Sequence, residues 1–196
     1  MTMNKQSIRN GIVLVVGLVG FIPCVNSQTL NITFGDDSFA AEGRGPLNLP
    51  NRPNWEYRTG FLFRDDVSNS MWGRLGAGTT HELATGAPGL RGGLGVSLYA
   101  VDAKNFDVGI LALELALHYS PAIAPRSTLS VELGLAPEIT TFNDGDDAIL
   151  QNFRWAYEYI QQTHVLIGYR HMEVGIKDRD DVHIVDGWYA GVERRF

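Results

Sequence analysis

Arginine and glutamate are the residues whose types and spacing could do chemistry together in this chain. They recur at every second position of short segments, and apolar residues occupy the positions between them. We call each of these two sets of alternate positions a parity. The planar guanidinium matches a carboxylate, so the pair suits partly desolvated contacts. We expect an inward charge network in which Glu114 and Glu132 share arginine partners. Its predicted members are Arg44, Arg58, Arg74, Arg91, Glu114, His118, Glu132, Arg154, Glu158, Arg170 and Glu193, with Glu42, Glu56 and Arg195 on the same parity.

The histidines and serines could support nucleophilic or metal chemistry. His118 shares the parity of the charges and lies near Ser130, and a Ser–His pair is what an outer-membrane hydrolase or acyltransferase would need. No serine lies in a nucleophile-elbow context and no metal-ligand spacing appears, although His171 and His183 could approach as two ligands at most. We therefore expect no enzymatic activity and no cofactor, with an enzyme active at the rim as an alternative.

Aspartate collects in a different place, in every second turn. Twelve of the thirteen aspartates lie in such turns, whereas the intervening turns contain proline or are short. This alternation predicts an up-and-down meander with two chemically different ends. Turn carboxylates could hold Ca²⁺ or Mg²⁺ and bridge to lipopolysaccharide phosphates, or could simply be solvated turn residues, since no full EF-hand loop is present. The candidate cation ligands are Asp144, Asp146, Asp147, Asp178, Asp180 and Asp181.

The elements that must position these residues are strands. From Gly109 to Tyr119, leucines of one parity alternate with Ala, Glu and His of the other, and a helix would mix the two sets on one face. The same template gives ten strands, with eight as the alternative. They are predicted at 29 to 35, 38 to 45, 54 to 64, 71 to 80, 89 to 101, 107 to 119, 127 to 137, 148 to 160, 164 to 176 and 182 to 196.

The pattern predicts an all-β fold, a single up-and-down antiparallel transmembrane β-barrel. A soluble lipocalin-like periplasmic binding barrel would place the apolar face inside, and a membrane barrel would place it against lipid. After residue 27 the only lysines are Lys104 and Lys177, which is unusual for a soluble surface. The membrane barrel is also favoured by aromatic residues near the strand ends on the apolar parity. They are Trp55, Tyr57, Tyr119, Trp155, Tyr159 and Trp188.

Composition excludes other classes of protein. The formal charge is -6, so there is no basic footprint for nucleic acid, and 44% hydrophobic residues are too many for a disordered chain. Beyond the N-terminus no apolar run approaches the roughly 18 residues of a spanning helix. The mean hydropathy of -0.07 is what alternating strands give on average.

The N-terminus has the pattern of a targeting segment. Lys5 and Arg9 precede an apolar stretch from Gly11 to Val25, and a small polar end follows at Ser27. The sequence thus predicts a cleaved signal peptide at 1–27 and a barrel at 28–196. The single cysteine would leave with the signal peptide, so the barrel would have no disulfide.

The C-terminus matches in part the signal that outer-membrane proteins present to their insertion machinery. The matching residues are Tyr189, Gly191 and the terminal Phe196, while Arg194 stands where an apolar residue is expected. We expect the insertion machinery, the lipid bilayer and lipopolysaccharide to be partners of this chain.

Longer motifs resemble those of one family. They are Gly168-Tyr169-Arg170, the run from Asp178 to Asp181, and residues 186–192 leading to Phe196, with weaker similarity at 151–155 and 92–95. In these the chain resembles the YfaZ family of predicted outer-membrane proteins. The resemblance implies a signal peptide, an outer-membrane barrel and no established chemistry or catalytic residues. The predicted function is that of an outer-membrane protein of a Gram-negative cell, structural or a narrow porin-like pore for small solutes or ions. The nearly equal numbers of arginine and glutamate on the charged parity predict little ion selectivity.

Overall fold

The computed structural model describes residues 28–49, 54–65, 70–83, 86–103, 106–177 and 181–196. The predicted signal peptide, and Asp178 and Asp180, lie outside these ranges. The strands are β1 (Thr29–Gly35), β2 (Ser38–Pro46), β3 (Trp55–Arg64), β4 (Met71–Glu82), β5 (Leu90–Ala103), β6 (Phe106–Tyr119), β7 (Ser127–Ala136), β8 (Thr141–Asn143), β9 (Gly145–Ile160), β10 (Thr163–Ile176) and β11 (Val182–Arg195). A 3₁₀ turn at Glu138–Thr140 separates β7 from β8. The described residues contain no helix long and apolar enough to cross a membrane.

The strands form a closed antiparallel barrel. Neighbours in sequence pair from β1 to β7, β9 pairs with β7 and β10, and β11 pairs with β10. Closure comes from β11, which also pairs with β1 from Thr29↔Arg195 to Gly35↔Tyr189. The predicted ten-stranded barrel is confirmed, and the eight-stranded alternative is wrong. A closed ladder pairs the backbone groups that an open sheet edge would leave free.

The short strand β8 was not predicted from the sequence. It pairs with Val108–Ile110 near the start of β6, whereas β7 pairs with the later part of β6, from Leu113 to Tyr119. β7 and β8 therefore share one place in the wall, interrupted by residues 137–140. The prediction missed β8 because three residues are too few to show a period.

The two ends of the barrel differ. We call the end at which β1 turns into β2 and β8 turns into β9 the acidic end, since Asp36, Asp37 and Asp144 lie there. We call the opposite end, where β1 begins and β11 finishes, the terminal end. Its tightest turn joins β9 to β10 through Gln162, whose φ of 63° lies in the left-handed region.

Alternation sorts each strand into an outer and an inner face. On β6, Leu113 is 54% exposed whereas its neighbours Ala112 and Glu114 are buried. The neighbouring strands place apolar residues on the same outer face, because Leu113 pairs with Val96 of β5 and Leu135 of β7. The outer face is therefore apolar around the wall, and the predicted charges lie on the inner face.

Candidate functional site

The inner face carries a network of ion pairs at the middle of the barrel, centred on Glu114. Arg58 Nη1 donates to Glu114 Oε2 at 3.2 Å, and Arg74 donates to the same oxygen. Tyr99 donates its hydroxyl to Glu114 Oε1 at 2.7 Å. Glu114 is 4% exposed, so its charge is balanced by these donors rather than by bulk water. Three donors from β3, β4 and β5 thus converge on one carboxylate of β6.

A second ion pair joins β10 to β2. Arg170 Nη2 donates to Glu42 Oε1 at 3.0 Å, and Asn31 donates to the other oxygen at 3.1 Å. The Arg170 guanidinium also lies over the ring of Tyr189, 5.0 Å from its centroid. A desolvated cation above an aromatic face is stabilised further. The pair therefore spans the two strands, β11 and β1, that lie between β10 and β2 in the wall.

Glu193 is the third centre. Its carboxylate lies 2.9 Å from Arg44, 3.4 Å from Arg154 and 3.3 Å from Arg195, and its side chain is 1% exposed. His164 Nδ1 is 3.9 Å away. Arginines of β2, β9 and β11 therefore share one buried carboxylate near the terminal end.

The other predicted members of the network occupy different places. Glu132 lines one of the central cavities together with Arg74 and Arg154, and Arg74 also binds Glu114. Glu158 instead accepts the backbone N–H of Gln162 at 3.1 Å, in the β9–β10 turn, and takes part in none of the ion pairs found among the described residues. Sequence parity placed all of these residues on one face, but it could not separate the centre from the rim.

Apolar side chains fill part of the interior toward the acidic end. They form a buried cluster on the inner face, at positions that were not among the predicted charges. Its members are Ala40, Leu62, Trp72, Tyr99, Val101, Val108, Ile110, Ala112, Ala136, Ala148, Met172, Val174, Ile176, Ile184 and Val185. The available signal was that several apolar residues near the acidic turns, such as Val101 and Ile110, share the parity of the charges.

Several cavities lie inside the barrel among the residues that the structure describes, and charged side chains line them. A vestibule of about 340 Å³ opens at the terminal end, and two central cavities measure about 30 and 40 Å³. A further cavity of about 130 Å³ lies at the acidic end beside the β1–β2 turn. Arg170 lines both this cavity and the central one next to it. Each of the two central cavities can hold only a few water molecules.

The vestibule has an excess of positive charge. Four arginines and two glutamates line it, together with His118. The arginines are Arg44, Arg91, Arg154 and Arg195, and the glutamates are Glu56 and Glu193. Arginine and glutamate are nearly equal in number on the charged parity as a whole, but arginine is in excess in the vestibule, which opens to solvent. The predicted lack of ion selectivity therefore does not follow for this end of the barrel.

His118 and Ser130 form the Ser–His contact that the sequence suggested. His118 Nδ1 lies 2.9 Å from Ser130 Oγ, within the reach of a general base and a nucleophile. However, Ser130 is 2% exposed, and no hydrogen bond joins His118 to a carboxylate in the described part of the chain. The pair therefore lacks the third group that would orient the imidazole, and a hydrogen-bonded wall contact is the simpler interpretation.

The acidic turns are ordered by backbone contacts. Asp144 accepts the N–H of Asp107 at 3.4 Å, and the carbonyl of Asp146 accepts the hydroxyl of Thr141 at 2.6 Å. At the last rungs of the β5–β6 hairpin, burial and the neighbouring Asp107 raise the pKa of the Asp102 carboxyl. Within the described ranges, Asp144, Asp146, Asp147 and Asp181 do not bring three ligand atoms together. The divalent-cation hypothesis for these turns stays a prediction.

The three residues of the C-terminal motif face different surroundings. Tyr189 points inward and donates to Asn152 at 2.7 Å, and Gly191 packs against β1. Phe196 is 63% exposed, and its N–H is bound by the carbonyl of Gln28. Two members of the motif are thus part of the packed wall, and of the three only the terminal phenylalanine has an exposed side chain.

Comparisons with known proteins give likeness in fold at low identity. No family model matches the chain, so membership of the YfaZ family stays a prediction, and no curated protein matches it. A solved KdgM porin is 11% identical, with a TM-score of 0.44 over 87% of this chain and 99% of that chain. A structure described as "Unveiling the Mechanism Behind the in-meso Crystallization of Membrane Proteins" is 12% identical, with a TM-score of 0.45 over 87% and 82%. Both TM-scores are low, so the fold rests on the strand register of this chain itself.

Proposed function

We propose that this chain is an integral outer-membrane β-barrel protein. The observation that carries the proposal is the exposed apolar face around the wall, where Leu94 is 56% exposed and Trp188 64%. Monomeric soluble proteins rarely expose a continuous apolar patch beyond a few hundred Å². A bilayer would remove this face from water, as it does for known membrane barrels.

Two further features support insertion in a bilayer. The closed ladder satisfies backbone groups within the wall, which a lipid environment requires. Aromatic rings lie on the outer face of β9, β10 and β11, where the ring centroids of Trp155 and Tyr157 are 6.2 Å apart and those of Tyr169 and Trp188 are 5.7 Å apart. Exposed aromatic side chains are typical of the headgroup region of a membrane protein.

The interior supports a narrow path for small solutes that is closed at rest. Cavities follow one another along the barrel, and those on the two sides of Arg170 are separated by its pair with Glu42. Movement of one arginine side chain would join them, whereas the packed residues of the apolar cluster cannot move singly. The proposed gate is therefore the Arg170–Glu42 pair.

The vestibule supports a preference for anions on this path. Four arginines against two glutamates attract small negative solutes to the mouth and raise their local concentration. The ion pairs deeper inside would then limit which solutes pass.

A purely structural barrel is the second candidate. The apolar cluster at the acidic end favours it, because Ile110 and Val174 are fully buried and leave no space on their side of the interior. In that case the ion pairs would only hold the wall together, and the chain would conduct under no condition.

The experiment that tests the proposal has two stages. Outer membranes are fractionated, and the protein is run on gels unheated and boiled, where a folded membrane barrel changes mobility on heating. Recovery in the soluble periplasmic fraction would overturn the membrane assignment and favour the lipocalin-like alternative.

Planar-bilayer recording then separates a path from a structural barrel. We expect small, infrequent openings for the natural chain and larger steady currents once the Arg170–Glu42 pair is broken. Silence in both cases, with folding retained, would favour the structural barrel.

A further inference from the structure

Histidines and a glutamate meet on the outer face of β10 and β11, toward the acidic end. His171 and Glu173 are two residues apart on β10 and so share a face. His183 lies opposite Glu173 on β11. This cluster lies one step beyond the Tyr169↔Trp188 pair, where the outer face changes from apolar to polar. It is separate from the inner network and from the vestibule.

A β-bulge creates this arrangement. Met172 pairs with Val185 but Glu173 pairs with His183, so one extra residue of β11 is accommodated between the two rungs. Ile184 and Val185 are both buried as a result. In a regular ladder Glu173 would face Ile184, and His183 would lie on the other face. The bulge therefore turns the second histidine outward toward Glu173.

The three side chains have the spacing of metal ligands. Glu173 Oε2 lies 3.3 Å from His171 Nε2 and 3.2 Å from His183 Nδ1. All three ligand atoms are within 4.8 Å of one another. Ligands about 2.0–2.2 Å from a tetrahedral Zn²⁺ lie about 3.3 Å apart, which two of the three separations already match.

A second layer of contacts orients the first histidine. Asp186 Oδ1 lies 3.5 Å from His171 Nδ1, and the Tyr169 hydroxyl donates a hydrogen bond to Asp186. A carboxylate at Nδ1 favours the tautomer with its proton there, which leaves the Nε2 lone pair free to face Glu173. Carboxylate–histidine–metal chains of this kind accompany many bound metal ions.

We propose that His171, Glu173 and His183 form a binding site for a Zn²⁺-class divalent cation on the outer wall of the barrel. Two imidazoles with a carboxylate suit Zn²⁺ or Cu²⁺, whereas Ca²⁺ and Mg²⁺ take oxygen ligands. Three protein ligands leave one position for water, and His183, with its side chain 56% exposed, gives access from solvent. From the sequence we expected two ligands at most, and Glu173, which the bulge places opposite His183, is the third.

A bound metal ion would also link β10 to β11 beside the bulge. A ligand that binds only the folded chain raises its stability by mass action. Zn²⁺ should therefore raise the unfolding temperature of the barrel, independently of any conduction through its interior.

The test is calorimetric titration of Zn²⁺ into the full chain folded in detergent micelles. We expect one Zn²⁺ per chain, and a loss of this binding in His183→Ala and in Glu173→Gln. Asp186→Asn should weaken the affinity about 10–100-fold, as changes behind a metal ligand do. His81→Ala is the matched control. His81 is an exposed histidine on β4, away from the proposed site, and it makes hydrogen bonds with Asn54 and Thr79.

We expect full Zn²⁺ binding in the His81→Ala control and none in His183→Ala or Glu173→Gln. Zn²⁺ should raise the unfolding temperature of the natural chain and of the control, but not that of the two ligand variants. Absence of saturable binding in the natural chain would overturn the proposal. So would equal binding in His183→Ala and Glu173→Gln, or displacement of Zn²⁺ by excess Ca²⁺, which would assign the heat to the acidic turns. Retained heat-modifiable mobility shows that each variant is folded.

Discussion

Arg58 on β3 donates a hydrogen bond of 3.2 Å to Glu114 on β6, so the interior joins two strands that are not neighbours in the wall. Such a contact exists only in the closed barrel. It makes the charged middle of the interior a set of cross-links between strands, with consequences for stability that differ from those of surface ion pairs.

Replacing Glu114 by glutamine should destabilise the barrel. The change removes the counter-charge of Arg74 and one of the two glutamate partners of Arg58, which keeps its 2.8 Å pair with Glu56. Removing one partner of a buried pair costs about 3–5 kcal/mol. Thermal unfolding in detergent should show a clear fall in the midpoint. Glu138→Gln, at an exposed residue of the 3₁₀ turn, is the matched control and should change little.

Glu132→Gln tests whether the two glutamates share their arginines. We expect a loss of stability here too, because Arg74 binds Glu114 and lines the same central cavity as Glu132. Unchanged stability and conductance in either glutamine variant would contradict the assignment of that glutamate to the network.

Replacing Arg170 by alanine should open the central path. It removes the side chain that lines the cavities on both sides and its pair with Glu42. Planar-bilayer recording should show a rise in mean conductance of severalfold. Arg194→Ala, at an exposed outer position paired with Leu30, is the control and should leave conductance unchanged. If Arg170→Ala does not fold, Glu42→Gln breaks the same pair with less loss of volume.

Charge at the vestibule should set ion preference. In the Arg170→Ala background, Arg91→Gln removes one of four lining arginines and should shift the reversal potential in a salt gradient toward cations. Arg126→Gln changes an exposed arginine of the β6–β7 turn that does not line the vestibule, and should not shift it. Equal shifts in the two variants would mean that the mouth charge does not select.

Gly191 should tolerate no side chain. A Cβ there would lie 2.2 Å from the Ile32 carbonyl oxygen and 2.8 Å from Thr33, both backbone contacts of β1. Gly191→Ala should therefore weaken the β1–β11 closure and lower the yield of heat-modifiable protein. Gly187→Ala on the same strand meets nothing within 4 Å and is the matched control. A folded Gly191→Ala with an unchanged unfolding temperature would argue against close packing at this seam.

Phe196 should matter for assembly in cells more than for folding. Its ring is 63% exposed at the end of the chain, so removing it costs little packing. We expect Phe196→Ala to lower the amount in the outer membrane severalfold while refolding in detergent is unchanged. Phe34→Ala, at an outer residue that is 60% exposed, controls for the loss of an apolar ring. Equal losses in both variants would mean that the terminal residue carries no signal.

The sequence by itself determined the strands and their two faces. The leucines from Leu111 to Leu117 alternate with Ala and Glu, and a period of two has only one structural meaning. Even the strand bounds agree closely, since 29 to 35 was predicted and Thr29–Gly35 is found. The separation of acidic from proline-bearing turns also followed from sequence, because turn chemistry is local.

Only the tertiary structure decided which charges meet. Arg58 reaches Glu114, and Arg170 reaches Glu42, because closure and strand tilt set the level of each rung around the wall. The alternation gives the face on which a residue lies but not its level along the barrel axis. The buried apolar cluster and the rim position of Glu158 therefore did not follow from the sequence. The bulge at Glu173 is the sharpest case, because one extra residue in the ladder places His183 beside Glu173 without any signal in the alternation.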